Sequence, residues 1–233
     1  MVLTKALSGI AQLLYPHHCA GCGRTLHDPA TQVCWHCHEE MPYTGFENHA
    51  DNPVARLFTG RIRLHQAFSI LFFQKHAAVQ NLLHHLKYKG NKEVGLQLGR
   101  LMGARLLQSG AAPGIDAIVP LPLHRRRLAS RGYNQAALIA RGMAEVLGLP
   151  VQEVAVLRSQ YTQTQTRKGR MARWLNVEHV FDLQPGHRLE GKHVLLVDDV
   201  ITTGATMEAC GQVLLKIPGL KLSVASAAWA CRV

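Results

Sequence analysis

Apolar residues along this chain follow two patterns. Over 76–89 and again over 92–108 they recur every three or four positions, as at Val79, Leu82, Leu83 and Leu86, which keeps one face of a helix buried. Elsewhere they run consecutively, over 65–74, 115–121, 154–157, 179–183, 193–197 and 222–230. Runs of that length without polar alternation predict strands covered on both faces. Further helices are predicted over 134–147 and 205–217, and a short amphipathic one over 2–14. Strands alternating with helices specify an α/β fold around a parallel sheet. Residues 44–62, with Gly45, Pro53 and Gly60, read as a polar connector, and 158–173 as a basic loop.

With 233 residues, 47% hydrophobic and 18% charged, the chain can bury a sizeable core but is short for two full domains. The expected organisation is a small unit over 1–45 and one main domain over 46–233. This composition excludes a wholly disordered chain, and no uninterrupted apolar run reaches the roughly 18 residues of a membrane span. Ser8 and Gln12 break the apolar start and no A-x-A cleavage site follows, so the expectation is a cytoplasmic protein without membrane insertion.

The formal charge of +11 is unevenly spread. Arg125, Arg126, Arg127, Arg131 and Arg141 lie in one acid-free window, and Arg158, Arg167, Lys168, Arg170 and Arg173 in a second. Two such windows flanking one helix suit a polyanion, either a nucleic-acid backbone or a substrate with several phosphates, whereas a single charge run is usually a solvated face.

Cys19, Cys22, Cys34 and Cys37 read C-x2-C-x11-C-x2-C. Each CxxC turn offers two thiolates on one side of a knuckle, and four such ligands close the tetrahedral shell of a structural zinc ion. The competing readings are two disulfides or a redox CxxC; disulfides need an oxidising compartment. Trp35, between the third and fourth cysteines, is expected to pack over the knuckle. Cys210 and Cys231 sit in apolar contexts and read as core residues.

In open parallel sheets ligands bind beyond the carboxyl ends of the strands. The most informative such place is VLLVDDVITTGAT, 194–206. Its apolar run builds a buried strand; Asp198 and Asp199 at the end offer acceptors for vicinal hydroxyls. Thr202, Thr203, Gly204, Ala205 and Thr206 lead into a helix whose first N–H groups and dipole favour a phosphate. A diol binder beside a phosphate cradle points to a ribose 5-phosphate. The bland reading, threonines as caps and aspartates as a helix approach, leaves two adjacent like charges at a strand end without a use. Neither G-x-G-x-x-G nor a P-loop motif is present here.

That stretch resembles the phosphoribosyl pyrophosphate (PRPP) signature of type I phosphoribosyltransferases. Within that superfamily, IVPLPLHRRRLASRGYNQAALIAR resembles the P-L-H-x-x-R-x-x-x-R-G-[FY]-N-Q segment of the competence protein ComF family, here Pro122 to His124, Arg127, and Arg131 to Gln135. LKYKG at 86–90, R-x-x-N from Arg173 to Asn176, and the four-cysteine finger are similar to that family too. The resemblance implies a parallel-sheet phosphoribosyltransferase-like core with an N-terminal zinc finger. It also implies that Asp198 and Asp199 hold the ribose of Mg-PRPP and that 202–206 hold its 5-phosphate. His124, Arg125, Arg127 and Arg131 would belong to the pyrophosphate loop, and Arg173 and Asn176 to a mobile loop closing the site.

The activity so implied is Mg2+-dependent phosphoribosyl transfer, a glycosyltransferase reaction, to an acceptor the sequence does not identify. The role implied is cytoplasmic, in DNA uptake during natural transformation or in use of DNA as a nutrient, beside single-stranded DNA and the uptake machinery. The alternative is a non-catalytic single-stranded DNA-binding accessory protein whose PRPP site is regulatory or vestigial. His17, His18, Arg24, Trp35 and His36 of the finger would then offer stacking and phosphate contacts to the strand.

Overall fold

The computed structural model describes residues 17–28, 30–73, 77–112, 114–159 and 180–231. The helix expected over 2–14, and Arg173 and Asn176, lie outside these residues. The main sheet contains β1 (Gln66–Phe72), β6 (Lys221–Trp229), β5 (His193–Ile201) and β2 (Ala117–Pro120) in that order, every pair parallel. Beyond β2 a parallel bridge between Ile118 and Val151 extends the edge.

Successive residues of a strand point to opposite faces. On β5, Leu195 and Val197 therefore enter one apolar cluster while Val194 and Leu196 enter another. The first cluster lies under α3 (Ala78–Tyr88), α4 (Lys92–Gln108) and α6 (Gln135–Leu147), the second under α7 (Ala205–Leu214). Burial on both faces is why these strands carry no polar alternation. Helices α4 and α6 pack backbone to backbone: a Cβ on Gly99 would stand 2.1 Å from the Ile139 carbonyl oxygen, and one on Gly142 would stand 2.1 Å from that of Leu96.

Four expectations need correction. The strands near 154–157 and 179–183 are not in the parallel sheet; β3 (Val156–Arg158) and β4 (Phe181–Leu183) form a separate antiparallel ribbon. Each is three residues long and fully buries only Val156 or Phe181, too little for a central strand. Strand β5 runs on to Ile201, because Val200 and Ile201 pair with Ala228 and Trp229, so the two aspartates lie within the strand.

The 44–62 segment is no plain connector. It holds a 3-10 turn (Phe46–Asn48) and α2 (Pro53–Arg56), and it buries Glu47, Asn52, Val54 and Phe58. Asn52 caps α2 by accepting from the N–H groups of Val54 and Ala55 while donating to Ala67 O of β1. Finally, RRRLASR is a helix, α5 (Arg125–Arg131), capped by His124 Nδ1 accepting from Arg126 N–H and ended by Gly132 at φ +82°. It buries no residue, so no apolar period announced it.

The cysteine knuckles rest on the same core. Asn81 of α3 donates to Gly21 O at 2.7 Å, and Gln97 of α4 accepts from Gln32 N–H at 3.0 Å. Cys19, Ala20, Val33, Cys37 and Met41 share an apolar cluster with Val79 and Leu83. Between the two CxxC turns and their partners, Trp35 of α1 (Trp35–Glu39) is left 76% exposed, so it does not pack over the knuckle.

Candidate functional site

Asp198 and Asp199 are neighbours in sequence, but the strand turns them to opposite faces of the sheet, where Lys87 pairs with Asp199 and both Lys87 and Arg158 act on Asp198 electrostatically. Asp199 is buried and pairs with Lys87 Nζ at 2.9 Å, from the last turn of α3. Asp198 faces the other layer, where Cys210 of α7 and the Arg158 guanidinium of β3 act on it electrostatically. Burial, then the Asp199 charge, push the Asp198 carboxyl up to about 8, although its own contact with Asp199 N–H at 2.8 Å opposes this.

A carboxyl raised from 3.8 to about 8 keeps a proton in the folded state that the unfolded chain gives up, so its contribution to stability is full below about pH 4 and lost as pH rises to 8. Wild-type melting temperature should therefore decline from pH 5 to pH 8 more steeply than that of Asp198→Asn, as read by differential scanning fluorimetry. Parallel pH profiles for the two proteins would count against a protonated Asp198.

After β5 the chain enters the turn that leads into α7. Gly204 holds φ +74° as the residue before α7, and a Cβ there would stand 2.9 Å from the Phe58 ring. Only glycine meets both demands, the left-handed backbone and the close aromatic floor. Thr202, Thr203, Ala205 and Thr206 are exposed at the start of a ten-residue helix, where the Ala205 N–H lies 3.5 Å from the Thr203 hydroxyl. The loop is tied from behind by Arg61, which donates to Thr203 O at 3.1 Å and to Leu57 O at 2.9 Å and pairs with Glu208. Phe58 and Arg61 are functional neighbours that sequence reading missed; an Arg in a Gly-rich turn carried no signal of a partner 142 residues away.

The arginine segment stands beside the acid pair. Arg125 and Arg127 are exposed on α5 and His124 is half-buried at its start. Burial, then Arg158, Arg126 and Arg127, hold the His124 imidazole below its ordinary value, so it is neutral at pH 7 among the arginines. Arg158 is itself held down by burial and then by Arg127, and its guanidinium lies 5.4 Å from the Phe181 ring centroid.

Two members of the basic windows are occupied otherwise. Arg141 makes a two-point pair with Glu153 at 2.6 and 2.9 Å, so the helix between the windows is less positive than its sequence suggests. Arg131 bonds Gln135 and lies over the Tyr88 ring at 5.7 Å, bracing α5 against the end of α3.

The thiols of Cys19, Cys22, Cys34 and Cys37 converge within 4.8 Å of one another. The Cys22–Cys34 sulfur separation is 3.7 Å, close to the edge of about 3.8 Å that a tetrahedron with 2.3 Å Zn–S bonds requires. Backbone N–H groups of Cys34 and Cys37 point at the sulfurs of Cys19 and Cys34. Burial alone would raise the Cys19 thiol, but N–H donors from Cys34, Cys22 and Gly21 outweigh it and bring it down to about 7. Burial and then the neighbouring sulfurs push the Cys37 thiol up.

This donor set fits one four-coordinate zinc ion with no open position, a structural site. No cysteine is in a disulfide. Cys210 is buried as expected, but Cys231, read as core, is exposed just past the end of β6.

Residues 133–231 match the phosphoribosyl transferase domain family. The chain is similar to the DNA utilization protein YhgH of Escherichia coli K12, 33% identical over 138 residues, covering 58% of this chain. That match spans 60% of the length of the E. coli protein. It is also similar to competence protein F of Haemophilus influenzae, 26% identical over 205 residues, covering 85% of this chain and 84% of that protein. Among solved structures it is similar to the glutamine PRPP amidotransferase from B. subtilis complexed with ADP and GMP: 18% identity, TM-score 0.41, covering 61% of this chain and 30% of that one. No helix among the described residues is long and apolar enough to cross a membrane.

Proposed function

Because the chain belongs to the ComF/YhgH family of phosphoribosyltransferase-domain proteins, we propose that it binds Mg-PRPP at the β5–α7 turn and serves DNA uptake or DNA utilisation in the cytoplasm. The observation that carries this reading is the exposed N-terminus of α7 directly after a strand that holds two aspartates. Asp198 and Asp199 take the ribose hydroxyls, and Thr202, Thr203, Gly204, Ala205 and Thr206 take the 5-phosphate through hydroxyl and N–H donors.

His124, Arg125 and Arg127, with Arg158 behind them, face the pyrophosphate; Arg173 and Asn176, which the family resemblance assigns to a mobile loop, lie outside the described residues. Mg2+ supplies charge neutralisation on the pyrophosphate when bound. Loss of pyrophosphate from the anomeric carbon builds negative charge on the leaving group, and fixed guanidinium groups lower that barrier without reorganising. Closure over the site excludes water from the electron-poor ribose carbon. The chemistry is then phosphoribosyl transfer to a nitrogen acceptor. The cysteine finger over 1–45, closed by structural zinc, acts as a unit packed on the phosphoribosyltransferase-like domain over 46–233.

Calorimetric titration of PRPP with and without Mg2+ tests the site. Saturable binding that needs Mg2+ is the expected result; no heat in either condition would leave the turn a fold element only.

A second reading is favoured by the exposure of Trp35 on the finger that also exposes His17, His18 and Arg24. An exposed aromatic ring on a finger that also carries an exposed arginine suits stacking on single-stranded DNA, at about 1–3 kcal/mol per stacked base. Trp35→Ala should weaken binding of an oligothymidylate about tenfold or more, with affinity falling steeply as salt rises. Equal, salt-insensitive affinities in the two proteins would sink this reading.

A further inference from the structure

Lys87 belongs to the LKYKG stretch and forms the ion pair with Asp199 at 2.9 Å. Its backbone is fixed on both sides. Leu86 is fully buried and its carbonyl accepts from the Tyr133 hydroxyl. Tyr88 lies under the Arg131 guanidinium. Both braces lead to the arginine segment: Arg131 is the last residue of α5 and Tyr133 the second residue after it. Lys87 therefore leaves a fixed anchor between the acid pair and the cations assigned to the pyrophosphate. Its side chain is 26% exposed while that of Asp199 is 10% exposed, so the ammonium occupies one side of a carboxylate that has little other access to solvent. A ligand that takes Asp199 must first move this ammonium, and a four-carbon stem lets it move without moving the helix.

We propose that Lys87 is a displaceable cation of the PRPP site. In the ligand-free protein it neutralises Asp199; when the ribose takes that carboxylate, the ammonium transfers to the pyrophosphate. The inference rests on the PRPP reading given above and assigns to that site a residue from outside both the β5–α7 turn and α5. The displaced ammonium contacts a group that ribose 5-phosphate lacks, so the two ligands must respond differently when it is removed. A divalent ion alone competes with Lys87 for Asp199, so its affinity must move the other way.

The test uses the full chain and three probes, Mn2+ alone, ribose 5-phosphate and Mg-PRPP, against wild type, Lys87→Met and Lys87→Arg. Lys87→Met should bind Mg-PRPP about tenfold or more weakly, the usual range for losing one charge-assisted contact. It should bind ribose 5-phosphate at least as tightly as wild type, since no ammonium has to leave Asp199, and bind Mn2+ alone several-fold more tightly by electron paramagnetic resonance. Lys87→Arg should recover most of the PRPP affinity. Circular dichroism and melting temperature identify a variant that does not fold, in which case Lys87→Arg against wild type carries the Mn2+ comparison, with both expected to bind it weakly.

If Lys87→Met weakens PRPP and ribose 5-phosphate by the same factor, or leaves Mn2+ affinity unchanged, Lys87 is only a static counter-ion and the proposal falls while the site stands. If wild type binds neither sugar phosphate, the PRPP reading and this inference fall together.

Discussion

Replacing Asp198 and Asp199 together by alanine is expected to abolish measurable Mg-PRPP binding while leaving the fold intact. Asp199, ion-paired to Lys87, contributes a charge-assisted hydrogen bond of about 1.5–3 kcal/mol and the protonated Asp198 an ordinary one of about 0.5–1.5 kcal/mol, together a loss of roughly 30- to 2000-fold in affinity. The fold should tolerate the change. β5 is held by parallel pairing to β6 from His193 to Ile201 and to β2 from Val194 to Val197, none of which needs the two side chains. The variant leaves Lys87 and Arg158 without their acids, but neither is fully buried, so both can be solvated and the melting temperature should move by only a few degrees. Calorimetry of the double variant beside its thermal melt reads both halves. Unaltered PRPP affinity in a folded double variant would remove the aspartates from the ribose site.

Much of this site could be read from residues in a row. VLLVDDVITTGAT puts strand, acids, left-handed glycine and helix start in one continuous text, and local rules of strand, turn and cap are enough to interpret it. The long helix α4 starts and stops where its apolar period does, at Lys92 and Gln108, and Asn91 accepts from Val94 N–H at its start. Features that depend on partners far along the chain were not readable. Nothing near Lys87 announces an aspartate on β5, and nothing near Arg61 announces Thr203.

The helix α5 was missed for a different reason. It lies on the surface and buries none of its residues, so it has no buried face to give a period. Trp35 shows the limit of burial statistics: a tryptophan is mostly buried across proteins, but this one sits on a five-residue helix whose inner side is already filled by Cys37.

Stripping the metal from the finger should do more damage than its size suggests. The knuckle residues Cys19, Ala20, Val33 and Cys37 are buried in the same cluster as Val79, Leu83 and Phe68, so the finger is a wall of the main core. A Cβ on Gly21 would stand 3.1 Å from both Ala78 and the Cys37 sulfur, which shows how closely the first turn sits on α3. In small four-ligand sites the metal binding free energy, about 10–16 kcal/mol, is largely the folding energy of the loop that carries the ligands.

Cys37→Ser, or prolonged chelation, is therefore expected to release residues around 17–41 and uncover Val79 and Leu83. If about 5 kcal/mol of that energy reaches the whole chain, melting temperature falls by roughly 10–20 °C at this size. Added Zn2+ should restore the chelated wild type and leave Cys37→Ser unchanged. A reductant without chelator should change nothing, since no disulfide is present. Elemental analysis of purified protein decides the premise: about one zinc per chain is required, and a metal-poor chain with an unchanged melt would show that the thiols hold the finger by packing alone. Because α3 bears Asn81 at the knuckle and Lys87 at Asp199, loss of zinc should also weaken PRPP binding at temperatures where the chain is still folded. Titrating PRPP into chelated protein at 10 °C tests whether the finger and the site are joined through that helix.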